Sequence, residues 1–123
     1  MKRDMELVRK ILLALEKHEH GYAPGGLNID GYTEEQVGYH VLLMGEDQAG
    51  LLKIEDVSSE DMEESPYALP ICIRWDGYEF LEAAREPSRW RTAVEKVKST
   101  GAGMTIEILK GVLLAISREK LGL

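Results

Sequence analysis

Three histidines, one cysteine and several paired carboxylates are the residues of this chain that could do chemistry. His18 and His20, with Glu16 and Glu19 beside them, have a spacing from which a metal site can be drawn. Zinc needs three or four converging ligands, usually with a second pair at a recognised interval, and no such pair follows. The two imidazoles read instead as the solvated end of a helix, where they also suit the negative end of its dipole. His40 stands three residues after Val37 and next to Val41, which predicts a packed or capping ring rather than a base. Cys72 lies between Ile71 and Ile73, with only Arg74 as a nearby cation, and reads as an inert small hydrophobe. Gly25-Gly26 and Gly101-x-Gly103 lack the Lys-Ser/Thr pair and the strand-glycine-helix context of a phosphate cradle. Glu34/Glu35 and Glu63/Glu64 fall at a helix start and a loop tip, where solvated charge is expected. The residues predict no catalysis, no metal and no cofactor.

The elements around them belong to an ordinary globular chain. It has 123 residues, 44% apolar and 30% charged, with 15 Lys+Arg against 22 Asp+Glu and a formal net charge of −7. At this length one domain over residues 1–123 is expected, with enough buried surface for a core without staples. A single cysteine excludes an internal disulfide and suits a reducing compartment. The longest apolar runs, residues 11–15 and 112–116, are five residues, against the roughly 20 that span a bilayer. The charged N-terminus lacks the apolar segment of a signal peptide. The expectation is a soluble, cytoplasmic protein with no membrane partner.

Met5, Val8, Leu12 and Leu15 recur at helical spacing, widened by Leu7 and Ile11, so residues 1–17 read as an amphipathic helix. The next stretch holds Gly21, Pro24, Gly25 and Gly26, and Leu27 with Ile29 predicts one short strand. Thr33 and Gln36 form a capping-box pattern that opens a second helix on Val37, Val41 and Met44, ending near Ala49-Gly50. Two strands follow, residues 51–57 and 69–75, with Ile71, Ile73 and Trp75 on one face. An acidic tongue with a Ser-Pro breaker separates them. Asp76 opens a third helix, interrupted by Pro87, and a fourth runs from about Ser88 to Lys98. The last, from Met104 to about Lys120, lines up Ile106, Leu109, Leu113 and Ile116. Expected core residues are Leu12, Leu15, Val41, Leu51, Trp75, Phe80, Leu81 and Trp90.

This order predicts an α+β fold, a winged helix-turn-helix-like domain with a reduced or missing second helix. Its wing hairpin spans about 51–75, and two additional C-terminal helices complete about 76–121. The stretch VGYHVLLMGEDQAGLLKI resembles winged-helix regulators at His40, Val41, Met44, Ala49, Gly50 and Leu51. There the recognition helix ends in a His-Leu-x-x-Leu pattern, then Ala-Gly-Leu, and runs into the first wing strand. The opening MKRDMELVRKILLALE, the middle GYTEEQVGYHVLLM and the later RWDGYEFLEAAREPSRW together resemble a family of short phage- and prophage-associated bacterial proteins. That family is a domain of unknown function with a predicted winged-helix fold. The resemblance spans nearly the whole chain and implies a fold and a genomic setting, with no reaction or binding residue attached.

Charge then bears on what the wing could meet. Residues 1–17 hold five basic and three acidic residues, and 74–123 hold nine and seven. Residues 18–73 hold Lys53 against twelve acidic residues. The would-be recognition helix carries Glu34 and Glu35 and no Lys or Arg, and the wing tip carries Glu60, Asp61, Glu63 and Glu64. Such charges within a Debye length of phosphates, roughly 8 Å at physiological salt, repel a duplex. Two readings use this acidity: a face that docks on a basic protein surface, or a solvated surface beside an apolar interface elsewhere.

The leading expectation is a non-enzymatic accessory or regulatory module that meets another protein, phage or host. It would do so through residues 33–47 and the wing at 58–68, with Glu34, Glu35, Tyr39, Glu60, Asp61, Glu63 and Glu64 as contacts. The alternative is a DNA-binding regulator using basic faces of the first and fourth helices, through Arg3, Arg9, Lys10, Arg85, Arg89, Arg91, Lys96 and Lys98. A small hydrolase is a weaker third. Leu114, Leu121 and Leu123, off the main line of the last helix, are candidates for a homodimer surface, or else cover the first helix within one chain.

Overall fold

The computed structural model describes residues 1–18, 27–58 and 66–123. Among them the chain is α+β, with five helices and a two-stranded antiparallel sheet. It packs as two compact units, Met1–Tyr78 and Glu79–Leu123.

In the first unit, α1 (Met5–Glu16) starts where Asp4 accepts from the backbone N–H groups of Glu6 and Leu7, at 2.9 and 3.3 Å. Helix starts leave such donors without an intrahelical partner, and a side-chain acceptor offsets this. Leu7, Val8, Ile11, Leu12 and Leu15 form its buried stripe. Helix α2 (Glu34–Met44) opens on the expected capping box: Gln36 N–H donates to Thr33 Oγ1 at 3.1 Å, and Thr33 N–H to Gln36 Oε1 at 2.8 Å. Helix α1 packs on α2, and α2 on both strands, β1 (Leu52–Asp56) and β2 (Ala68–Ile73).

Four local expectations need correction. Residues 27–29 form no strand. They pair with neither strand of the sheet, and the chain turns at once, Tyr32 N–H donating to Ile29 O at 3.1 Å with Gly31 at φ +87°. Helix α2 ends at Met44 rather than Ala49-Gly50. Leu51 N–H bonds Met44 O at 2.9 Å and Gly50, at φ +77°, closes the turn instead, so the chain is already entering β1.

The third concerns the strand faces. Lys53 pairs with Cys72 but Ile54 with Pro70, so Ile71 is the extra residue of a bulge. The alternation is reset there: Ala68, Pro70 and Ile73 are buried, while Ile71 and Cys72 are half-buried. Proline, without an N–H, is tolerated at such irregular edge positions. The fourth is Trp75, expected in the core and in fact 77% exposed. The strand stops at Ile73 and Trp75 is the first residue of α3 (Trp75–Ala84), so the strand period no longer applies to it.

In the second unit the buried residues are Phe80, Leu81, Ala83 and Ala84 at the end of α3, then Trp90, Ala93 and Val97 on α4 (Pro87–Thr100). Leu109, Leu113 and Ile116 on α5 (Ile106–Leu121) complete them, and α4 packs on α5. Pro87 stands at the first helical position of α4, where its missing N–H costs nothing. Glu86 caps that helix, accepting from Ser88 N–H at 2.9 Å, Arg89 N–H at 2.7 Å and Ser88 Oγ–H at 2.8 Å.

Those bonds, the backbone N–H of Ser88 foremost, hold the Glu86 carboxyl down to about 2. A carboxylate depressed in the folded state contributes stability above its unfolded value, 4.5, and loses it as pH falls toward 2. The difference in melting temperature between the wild type and Glu86→Ala is therefore expected to be full at pH 6 and to close by about pH 2, read by a thermal scan at each pH.

Candidate functional site

The first unit carries the arrangement with most chemical content. Its organising residue is Asp4. Besides capping α1, its Oδ2 accepts from the Tyr32 hydroxyl at 3.0 Å. Its own N–H donates to His40 Nε2 at 2.8 Å, and His40 Nδ1–H donates to the Gln36 carbonyl at 2.8 Å. His40 is thus buried with both ring nitrogens engaged by backbone, the packed role expected of it. Burial, then the hydrogen bond to Asp4, raises the Tyr32 hydroxyl above its ordinary value, and Lys10 Nζ lies 5.4 Å over its ring. The network ties residue 4 to residue 40 and to Tyr32, just before α2.

Beside that entry is a cleft of about 210 Å³. Val37 and Val41 on α2, with Ala68 and Pro70 on β2, form its apolar part; Leu27 and Asn28 form one side. Tyr67 forms another, and Glu34 lines it from the first turn of α2. Gly38 is what brings α2 so close to Tyr67: a Cβ at this position would overlap the tyrosine ring. Ligand pockets for cofactor-sized molecules run to about 300–1,000 Å³, so this cleft suits something nearer one side chain.

Glu34 and Glu35 are exposed on α2 and make no hydrogen bond or ion pair among the described residues. Tyr39 is half-buried and stands edge-on to His40, ring centroids 6.2 Å apart. Glu60, Asp61, Glu63 and Glu64, the expected wing contacts, lie outside the described residues, as do Glu19, His20 and the 21–26 stretch. Over residues 27–58 the surface is nonetheless one-sided: Asp30, Glu34, Glu35, Glu46, Asp47, Glu55 and Asp56 are all exposed, against Lys53.

The expected basic faces change more. Arg3 is exposed and Lys10 half-buried, but Arg9 is only 9% exposed, with Glu6 Oε1 at 3.8 Å. Its stem completes the buried stripe of α1, so it is not a solvated cation. Arg89 turns back on α3, donating from Nε to Ala83 O at 2.9 Å and from Nη2 to Glu82 O at 3.1 Å. It serves the last carbonyls of that helix, which have no intrahelical donors. Arg85 pairs with Glu82 at 2.7 Å. Arg91, Lys96 and Lys98 are exposed on α4.

Asp4, Tyr32, Asn28 and Tyr67 are the site residues that sequence reasoning missed. Asp4 had a signal, an acidic residue just before an apolar helical stripe. The other three had none.

Among the described residues no three or more His, Cys, Asp or Glu side chains gather where they could hold a metal ion, and no helix is long and apolar enough to cross a membrane. Fold and site together define an α+β protein with a small cleft in an acidic surface and an internally bonded histidine. The family model described as "Hypothetical protein (DUF2513)" matches residues 2–103, and the chain belongs to that family. A Haemophilus influenzae protein described as uncharacterized is 32% identical over 124 residues, covering 98% of this chain and 99% of its own length. No solved structure matches the chain.

Proposed function

We propose that this chain is a phage- or prophage-type accessory or regulatory module that acts by binding another protein through the acidic face of a winged-helix-like unit, without chemistry of its own. The observation that carries this reading is the run of seven exposed carboxylates over residues 27–58 against a single lysine, with Glu34 and Glu35 unpaired among the described residues. Such a surface accelerates and selects encounter with a basic partner and repels phosphate. The order α1, α2, β1, β2, α3 supports the winged-helix comparison, in which the helix before the hairpin and the hairpin itself face the partner. The phage setting rests on the resemblance of the opening, middle and Arg74–Trp90 segments.

Binding to DNA through the other faces is weakened by the internal use of Arg9 and Arg89. Leu114, Leu121 and Leu123 are exposed, at 41, 73 and 86%, and are the surface through which two copies would pair. The test is a titration with a lysine-rich peptide and with random-sequence duplex DNA at about 50 and 200 mM salt. The peptide is expected to bind, and Glu34→Gln with Glu35→Gln to weaken it at least about threefold, more than Glu95→Gln with Glu107→Gln does. Tight, salt-steep binding of duplex with none of the peptide would overturn the reading.

A further inference from the structure

We infer that the cleft beside α2 receives a single lysine or arginine side chain of the basic partner, an inference that rests on the protein-binding reading above. Three features of the cleft converge on that occupant. Its volume, about 210 Å³, admits one side chain rather than a cofactor. Val37, Val41 and Pro70 give it a small, nearly buried apolar floor, on which the end of a methylene stem can rest while the charged head stays hydrated. Glu34, exposed and without a partner among the described residues, supplies the countercharge, and the Tyr67 ring supplies an aromatic surface that attracts cations.

An anionic occupant is disfavoured by the same geometry. The N-terminus of α2 carries roughly half a positive charge, which the two carboxylates Glu34 and Glu35 outweigh, and the N–H groups of Gln36 and Val37 are already taken by Thr33. A neutral apolar side chain would leave Glu34 at the rim with nothing to pair. The cation therefore uses both halves of the cleft.

The experiment observes methyl groups of Val37, Val41 and Ala68 by NMR while the intact protein is titrated with acetyl-lysine methylamide, acetyl-arginine methylamide and the uncharged acetyl-norleucine methylamide. Shifts from the two cationic probes, absent with norleucine and weakened about three- to tenfold in Glu34→Gln, are the expected result. The cleft is then closed without a change of charge by Asn28→Trp at its exposed rim, which is expected to weaken the lysine-rich peptide by about tenfold. If the peptide binds and depends on Glu34 and Glu35 but Asn28→Trp leaves it unchanged, the cleft assignment falls while the acidic-face reading stands. If norleucine shifts the methyls as strongly as lysine, the cleft assignment also falls. Failure of the peptide to bind at all removes the acidic-face reading, and the cleft is then judged on the small probes alone.

Discussion

Replacing Phe80 with alanine is expected to lower stability by about 3–5 kcal/mol, the usual cost of emptying a large buried aromatic position. Phe80 is 1% exposed and meets Trp90 edge to ring, with centroids 6.3 Å apart and planes at 87°. That pairing contributes about 0.5–1.5 kcal/mol beyond burial, so the upper part of the range is expected. Against a typical domain stability of 5–15 kcal/mol this is a large fraction of the whole. Urea unfolding followed by circular dichroism reads it as a lower midpoint. Trp75→Ala in the same experiment is expected to change stability by less than about 0.5 kcal/mol, because that side chain is solvated. Equal losses for the two would mean that Trp75 is buried in solution.

Gly77→Ala is expected to destabilise, which reverses the usual sign. In an open helix alanine is favoured over glycine by about 0.8–1.0 kcal/mol because it has less backbone freedom to lose. At Gly77, inside α3, a Cβ would overlap the carbonyl oxygen of Leu51 and stand 2.7 Å from Ile73 Cγ2. The same Leu51 carbonyl accepts from Arg74 N–H at 2.9 Å, so the backbone before β1 cannot withdraw without breaking that bond. Overpacking of this kind costs about 1–3 kcal/mol, more than the propensity gain. Gly111→Ala is the internal control: nothing lies within 4 Å of a Cβ there, in the middle of α5. Thermal melts are expected to move in opposite directions for the two variants, and a stabilised Gly77→Ala would show that α3 does not approach Leu51 this closely.

Much of the candidate site was legible in part. Glu34 and Glu35 stand exposed at the start of a helix because Thr33 and Gln36 build its cap from neighbours three residues apart. His40 at the margin of an apolar stripe is packed, as its place three residues after Val37 and next to Val41 implied. Its partner was not legible. Asp4 lies 36 residues away, and nothing in either neighbourhood marks the other. The basic residues were misjudged for a related reason: sequence counts a guanidinium as free charge, whereas Arg89 spends its donors on Ala83 and Glu82 carbonyls at a neighbouring helix end.

The sequence by itself determined the helices α1, α2, α4 and α5, the cap at Thr33, the break at Pro87, the hairpin and the acidic middle of the chain. The helices and the cap depend on interactions within about four residues, the strands on their alternation and the acidity on composition, and all of these are written along the chain. Only the tertiary structure decided the bulge at Ile71, the exposure of Trp75, the end of α2 at Met44, and a cleft assembled from Asn28, Glu34, Val37, Tyr67 and Pro70. Those features depend on which distant backbone arrives alongside. A strand partner, a returning loop or a carbonyl such as that of Leu51 sets the side-chain direction and the space left over, and no local spacing encodes either.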